Sequence, residues 1–297
     1  MSVDLKAYLD SRRALVDAAL DAALPPESAA PVTLHRAMRY SVLAPGKRLR
    51  PILVIAGAEA VGGEAATVMD TACALELIHA YSLIHDDLPA MDDDDYRRGR
   101  LTSHKVFGDA MAILAGDALL TLAFQLIAGN AARMSDPRLI AHVIADVAEA
   151  AGTNGMVGGQ VVDIESEGKA VTAETLDYIH LRKTAALIRV SLRAGATLAG
   201  GRAEHIEAVS RAGEALGLAF QIVDDILDVE GSLAELGKTA GSDERKKKAT
   251  YPAYHGLEAS KRKARALIDD TKRLLQPLGA AAASLNALAD YVFERRS

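Results

Sequence analysis

Ala219-Phe220-Gln221-Ile222-Val223-Asp224-Asp225-Ile226-Leu227-Asp228 reads as a helix that is acidic on one face and apolar around the rest. At about 100° per residue, Asp228 lies about 40° from Asp224 and about 60° from Asp225, so the three carboxylates share a face, and Gln221 joins them one turn earlier. Ala219, Phe220, Ile222, Val223, Ile226 and Leu227 supply the flanks. Such flanks belong in a core, where an unpaired charge is costly. These carboxylates therefore read as a functional group rather than as solvated surface.

Upstream, six aspartates fall within the ten residues Asp86–Asp95. Two like charges about 4 Å apart repel by roughly 4 kcal/mol at an effective dielectric near 20, so such a cluster calls for a cation. All-oxygen ligation favours a hard ion, and Mg2+ commonly takes a few carboxylates and leaves its other positions to water and substrate phosphate. Alone, Asp92–Asp95 would read as a charged loop in water. Paired with the downstream cluster, it suggests a magnesium-held diphosphate. On an unbroken helix Asp92 would stand about 120° from Asp86. Pro89 is expected to end or bend that helix and swing Asp92 back. His79 and Ser82 lie about 20° and about 40° from Asp86, so both can look into a common cavity.

Composition bounds the rest. The chain has 297 residues and no linker or composition break, so a single domain over 1–297 is expected. Trp is absent, aromatics make up 4%, and runs such as Ala110–Leu126 carry Ala and Leu at helical spacing. The expected fold class is all-α, with roughly ten helical segments separated by Pro and Gly punctuation. The net charge of −6 argues against nucleic-acid binding. A single cysteine, Cys73, in an apolar stretch suits a reducing cytoplasm. No signal peptide is read at Met1–Lys6, and no run of 18 apolar residues suggests a membrane span.

Basic residues are grouped locally. Lys47 and Arg50, within Gly46-Lys47-Arg48-Leu49-Arg50-Pro51, are one turn apart at a helix start and can grip one anion together. Arg97-Arg98-Gly99 follows the first acidic run, Lys183-Thr184 sits within a helix, and Gly237-Lys238 and Lys246-Lys247-Lys248 follow the second. Carboxylates for metal and several separate basic patches are what binding two phosphorylated molecules requires.

In this order, Gly46–Pro51, Asp86-Asp87-x-x-x-x-Asp92, Arg97-Arg98-Gly99, Gly158-Gly159-Gln160 with Asp163, Lys183-Thr184, Phe220-Gln221 and Asp224-Asp225-x-x-Asp228 resemble the trans-isoprenyl diphosphate synthases from about residue 35 to 256. The stretch Leu77–His85 before Asp86 looks most like bacterial farnesyl diphosphate synthase. Two departures stand out: Ala44-Pro45 replaces a more usual Gly-Gly, and three consecutive lysines leave Lys248 to be chosen by its place before Ala249-Thr250-Tyr251-Pro252.

The resemblance implies an all-α bundle around a deep central cavity, a homodimer, and the two Asp motifs facing each other across the mouth. It implies that Asp86, Asp87, Asp92, Asp224 and Asp228 hold Mg2+, for which Mn2+ could substitute. Arg97, Lys183, Thr184, Gln221, Lys238 and Lys248 would contact the allylic diphosphate or its metals. Lys47, Arg50, His79 and Arg98 would bind the homoallylic isopentenyl diphosphate. The implied chemistry is ionisation of the allylic C–O bond, attack by the isopentenyl double bond, and loss of a proton to the released diphosphate. Tyr81, five residues before Asp86, would form the cavity floor beside the small Ser82, giving farnesyl diphosphate as product, with geranylgeranyl diphosphate the alternative.

Other classes fit less well. A di-iron bundle would use Glu76-x-x-His79, but no second Glu-x-x-His occurs. An EF-hand beginning at Asp92 would place Arg97 where Gly is needed. A non-catalytic partner subunit would generally lack one Asp motif, and a terpene cyclase would lack Gly46–Pro51.

Overall fold

The computed structural model describes residues 3–134, 136–230 and 250–295. Lys238, Lys248 and the segment 231–249 lie outside the described residues.

Helices account for nearly all the regular structure, as expected for all-α. α1 spans Leu5–Ala23, α2 Val32–Val42, α3 Leu49–Glu59 and α4 Ala65–Asp86. After a short hairpin come α5 (Ser103–Phe107), α6 (Asp109–Gly129), α7 (Arg138–Ala151), α8 (Met156–Ser166) and α9 (Ala173–Ile179). A six-residue π-turn, His180–Ala185, leads into α10 (Ala186–Leu198), and α11 runs for 28 residues, Ala203–Glu230. Helices Tyr251–His255, Leu257–Leu275 and Ala283–Glu294 close the described chain.

α4 is the central helix. It packs on α3 and α6, while α10 packs on α3 and α11. Its Leu75, Leu77 and Ile78 are wholly buried, each worth roughly 1.5–3 kcal/mol of apolar transfer. α3 and α10 cross with their backbones nearly touching. A Cβ on Gly57 would meet the Leu192 carbonyl oxygen at 2.3 Å, and one on Gly195 the Val54 oxygen at 1.9 Å.

α4 ends at Asp86, with Asp87 as its C-cap, just ahead of Pro89. The Asp92 N–H then donates to the Asp86 carbonyl at 2.8 Å. The expected swing of Asp92 back to Asp86 is therefore made by this backbone closure.

Two features escaped the sequence reading. Tyr96–Arg97 and Arg100–Leu101 form a two-stranded antiparallel ladder, too short to give an alternation signal. Its turn places Arg98 and Gly99 at φ 54° and 75°, the two consecutive positive values of a type I′ hairpin. The second is α6 and its following turn. Asp109–Arg133 is long and apolar enough to cross a membrane by length and composition, although only a third of its most apolar window is buried. Asp117, Thr121 and Gln125 break the apolar run in sequence, which is why the count of consecutive residues missed it.

Candidate active site

The Lys47–Arg50 motif is built by one inward-turned residue. Arg48 caps α3 in a left-handed conformation, φ 51° and ψ 37°. Its buried guanidinium donates to Glu76 at 2.8 Å, Asp17 at 2.7 Å and the Ala44 carbonyl at 3.0 Å. Glu76 is thus the partner of Arg48 rather than half of a metal motif. Lys47 lies before the helix and Arg50 within its first turn, so the two do not share one helix turn as the spacing suggested. Both nevertheless line one cavity of about 910 Å³ with His79, Arg98 and Arg295.

That cavity is rich in cations. Burial lowers the Arg50 pKa to about 10, with Arg98 adding to the effect. Burial and Arg295 lower that of Lys47. Burial lowers that of Arg98, with Arg48 and Arg97 acting in the same direction. His79 is held well below 6.5 by burial, then by Arg50 and Arg98. The buried Arg50 Nε has no hydrogen-bond partner among the described residues. Mutually repelling cations around an unpartnered buried donor fit a bound anion. Arg98 reaches this place by donating to the Pro45 carbonyl at 3.1 Å. A Cβ on Gly46 would meet its Nη1 at 2.5 Å, so a larger residue there would push this guanidinium aside.

A polar path leads from the first acidic cluster to the second. Gln160, on α8, donates to Asp86 Oδ1 at 3.2 Å. One turn on, Asp163 accepts from Lys183 Nζ at 2.6 Å. Thr184 donates to Gln221 Oε1 at 2.7 Å, and Gln221 donates to Asp225 at 3.0 Å. Close helix approach makes the path possible. A Cβ on Gly159 would meet the Lys183 nitrogen at 2.4 Å, and one on Gly217 the Ala185 Cα at 2.6 Å.

Residues 31–280 match the family described as Polyprenyl synthetase. The chain belongs to this family. It is 48% identical to heterodimeric geranylgeranyl pyrophosphate synthase large subunit 1, chloroplastic, of Arabidopsis thaliana over 301 residues, 100% of this chain and 81% of that protein. It is 44% identical to geranylgeranyl diphosphate synthase of Cyanophora paradoxa, covering 99% and 97% respectively. The apo structure of an FPP/GFPP synthase from Zymomonas mobilis aligns with TM-score 0.88 at 35% identity, over 98% of this chain and 100% of that one. The protein is a prenyltransferase of isoprenoid biosynthesis with the all-α isoprenoid synthase fold.

In this polyprenyl synthetase some predicted ligands already have protein partners. Asp87 is buried and accepts from Arg97 Nε through both oxygens, at 2.7 and 3.0 Å; burial raises its pKa against the pull of Arg97. Arg97 is thus engaged by a carboxylate. Asp224, 43% exposed, accepts from Arg295 at 2.6 Å. Asp228 is buried. Ser82 donates within its own helix to the His79 carbonyl at 2.9 Å. Tyr81 is buried with its ring edge-on to His85 at 5.7 Å; burial, then Asp86, raises its pKa to about 12.

The sequence reading missed Arg295, whose guanidinium lies 3.8 Å over the Phe220 ring. It also missed His180, whose Nε2 bonds Asp225 Oδ2 at 2.8 Å. A periodic signal linked neither to the acidic helix. Among the described residues, Asp93, Asp95 and His104 form a group of three whose carboxylate and imidazole atoms lie within 4.8 Å of one another. Asp95 also pairs with Lys105 at 2.7 Å.

Proposed function

We propose that the protein is a Mg2+-dependent head-to-tail prenyltransferase. It would condense isopentenyl diphosphate with dimethylallyl or geranyl diphosphate to give farnesyl diphosphate, as a (2E,6E)-farnesyl diphosphate synthase built from the whole of 1–297. The observation that carries this reading is the cavity that gathers Lys47, Arg50, His79 and Arg98 apart from Lys183 and Thr184. A cation-rich cavity on one side and Lys183 with Thr184 on the other suit two diphosphates.

The donor set near Asp86 fits a hard cation. Gln160 gives its amide nitrogen to Asp86, and its buried Oε1 has no partner among the described residues. Asp86, Asp87 and Asp92 on one side, with Asp224 and Asp228 on the other, would hold Mg2+, which when bound neutralises charge developing on the leaving diphosphate. Lys183, Thr184 and Gln221 would orient the allylic diphosphate, and Arg97 would act through Asp87 or turn to the anion. Lys47, Arg50, His79 and Arg98 would hold isopentenyl diphosphate with its double bond facing the allylic carbon. His79, kept neutral by its surroundings, offers a hydrogen bond rather than a further charge. The buried wall along α4, ending at Tyr81, would exclude water from the cation.

Geranylgeranyl diphosphate is the second reading, favoured by the names of the Arabidopsis and Cyanophora relatives. Tyr81, buried and braced by His85, favours the shorter product. We also infer a homodimer. Ile113 and Leu114 on α6 are exposed large apolar residues, and a second copy covering that face would bury them. A reducing, cytoplasmic location agrees with the single buried Cys73.

Asp86→Ala and Asp224→Ala test the metal assignment. Each is expected to lower turnover by at least about 100-fold, the scale of losing one preorganised charge-stabilising group, with far-ultraviolet circular dichroism unchanged. Near-normal turnover in either variant removes that residue from the metal site.

A further inference from the structure

Asp225 stands next to Asp224 in the acidic cluster, yet it is turned into the protein. Its Oδ1 accepts from Gln221 Nε2 at 3.0 Å, and its Oδ2 accepts from His180 Nε2 at 2.8 Å and from the Tyr251 backbone N–H at 3.0 Å. It is only 2% exposed. A carboxylate offers about four lone-pair sites, and three are already directed at protein donors. It is committed to holding other residues.

What it holds is the π-turn. His180 is the first residue of His180–Ala185, and Asp225 binds it directly. Thr184, near the end of the turn, donates to Gln221 Oε1. With its nitrogen given to Asp225, the Gln221 amide turns its oxygen to Thr184. One carboxylate thus grips both ends of a turn that carries Lys183 and Thr184. A π-turn is a rare backbone form that neighbours must stabilise. His180 is also 3% exposed, and its Nδ1 has no partner among the described residues. An unpartnered buried nitrogen is unfavourable, so the Asp225 bond is what an imidazole at this position supplies. The Tyr251 ring lies 5.2 Å from it, and the Tyr251 hydroxyl bonds Asp177 of α9. α9, the π-turn, α11 and the helix at Tyr251 therefore meet at this one pair.

We propose that His180 and Asp225 are positioning residues for the allylic diphosphate half of the site. They would act through other side chains rather than on substrate or metal. They set the orientation of Lys183, Thr184 and Gln221 while leaving the Lys47–Arg50 cavity unaffected. This inference rests on the assignment of those three residues to the allylic diphosphate.

The test measures calorimetric affinity for two unreactive probes separately, geranyl S-thiolodiphosphate and isopentenyl diphosphate, with melting temperature and the Mg2+ dependence of turnover. His180→Ala and Asp225→Asn are expected to weaken the geranyl probe about tenfold, the scale of one hydrogen bond to a charged group. Isopentenyl diphosphate affinity and half-saturating Mg2+ are expected to change less than about twofold. His180→Gln, whose amide can still donate to Asp225, is expected to recover most of the loss; it also carries the test if the alanine variant does not fold. Equal weakening of both probes, or a lowered melting temperature with both affinities intact, overturns the proposal. A raised Mg2+ requirement in Asp225→Asn overturns it in favour of a ligand role. Wild-type protein that binds neither probe fails the two-diphosphate reading itself, and the positioning role falls with it.

Discussion

Arg295 donates through Nη2 to Asp224 Oδ1 at 2.6 Å while its guanidinium carbon lies 3.8 Å from the Phe220 ring centroid, so the end of the described chain sits on the acidic face of α11. The Arg295 side chain is 4% exposed and Asp224 is 43% exposed. The guanidinium therefore competes from the buried side for the carboxylate assigned to metal. Arg295→Ala is expected to lower the Mg2+ concentration giving half-maximal turnover. It is also expected to cost about 1–2 kcal/mol of stability through the lost cation–π contact and packing. Mg2+ titration of turnover with parallel urea unfolding checks both; a raised Mg2+ requirement would show that Arg295 supports the metal site.

Arg97 and Asp87 form a similar pair at the end of α4. Removing the guanidinium leaves Asp87 without its partner, so Arg97→Ala is expected to destabilise by about 1–3 kcal/mol. Asp87→Asn in the same background removes the stranded charge and is expected to recover part of that stability, though not the activity. Chemical denaturation of the single and double variants measures this coupling.

Tyr81 is buried four residues before His85, whose ring it meets edge-on. If it is the floor, Tyr81→Ala opens the end of the cavity and shifts product toward geranylgeranyl diphosphate. Reversed-phase separation of the dephosphorylated products checks this, and an unchanged length distribution assigns the floor elsewhere.

Burial and surrounding arginines hold His79 well below 6.5. As pH falls through about 6.5 the unfolded chain takes up a proton that the folded chain refuses, so this residue's contribution to stability declines toward acid. Between pH about 7.5 and about 5, His79→Asn is expected to lose less stability than wild type. Saturating isopentenyl diphosphate is expected to narrow the gap, because the anion offsets the arginines. Thermal unfolding across that range, with and without ligand, checks the sign.

The pairings that helix periodicity proposes, Asp224 with Asp228 on α11 and His79 with Asp86 on α4, rest on a rotation of about 100° per residue and on the proline that ends α4; His79 lines the Lys47–Arg50 cavity, whose lining among the described residues does not include Asp86 or Ser82. Lys47 and Arg50 were legible as a pair, but Arg48 between them was not, because its role depends on Glu76, 28 residues away. Arg295 contacts Asp224 across 71 residues and His180 contacts Asp225 across 45. Those contacts arise from helix packing, which local spacing does not encode. The hairpin at Tyr96–Leu101 is also set by only four strand residues and a turn, below the length at which alternation can be read.

The measurement that tests the central claim most directly is to incubate the protein with isopentenyl diphosphate and geranyl diphosphate, with and without Mg2+, and separate the dephosphorylated products by chain length. The account predicts Mg2+-dependent farnesol. Geranylgeraniol would preserve the prenyl transfer and replace Tyr81 as the floor, whereas no Mg2+-dependent product would contradict the claim and indicate a non-catalytic subunit of the family.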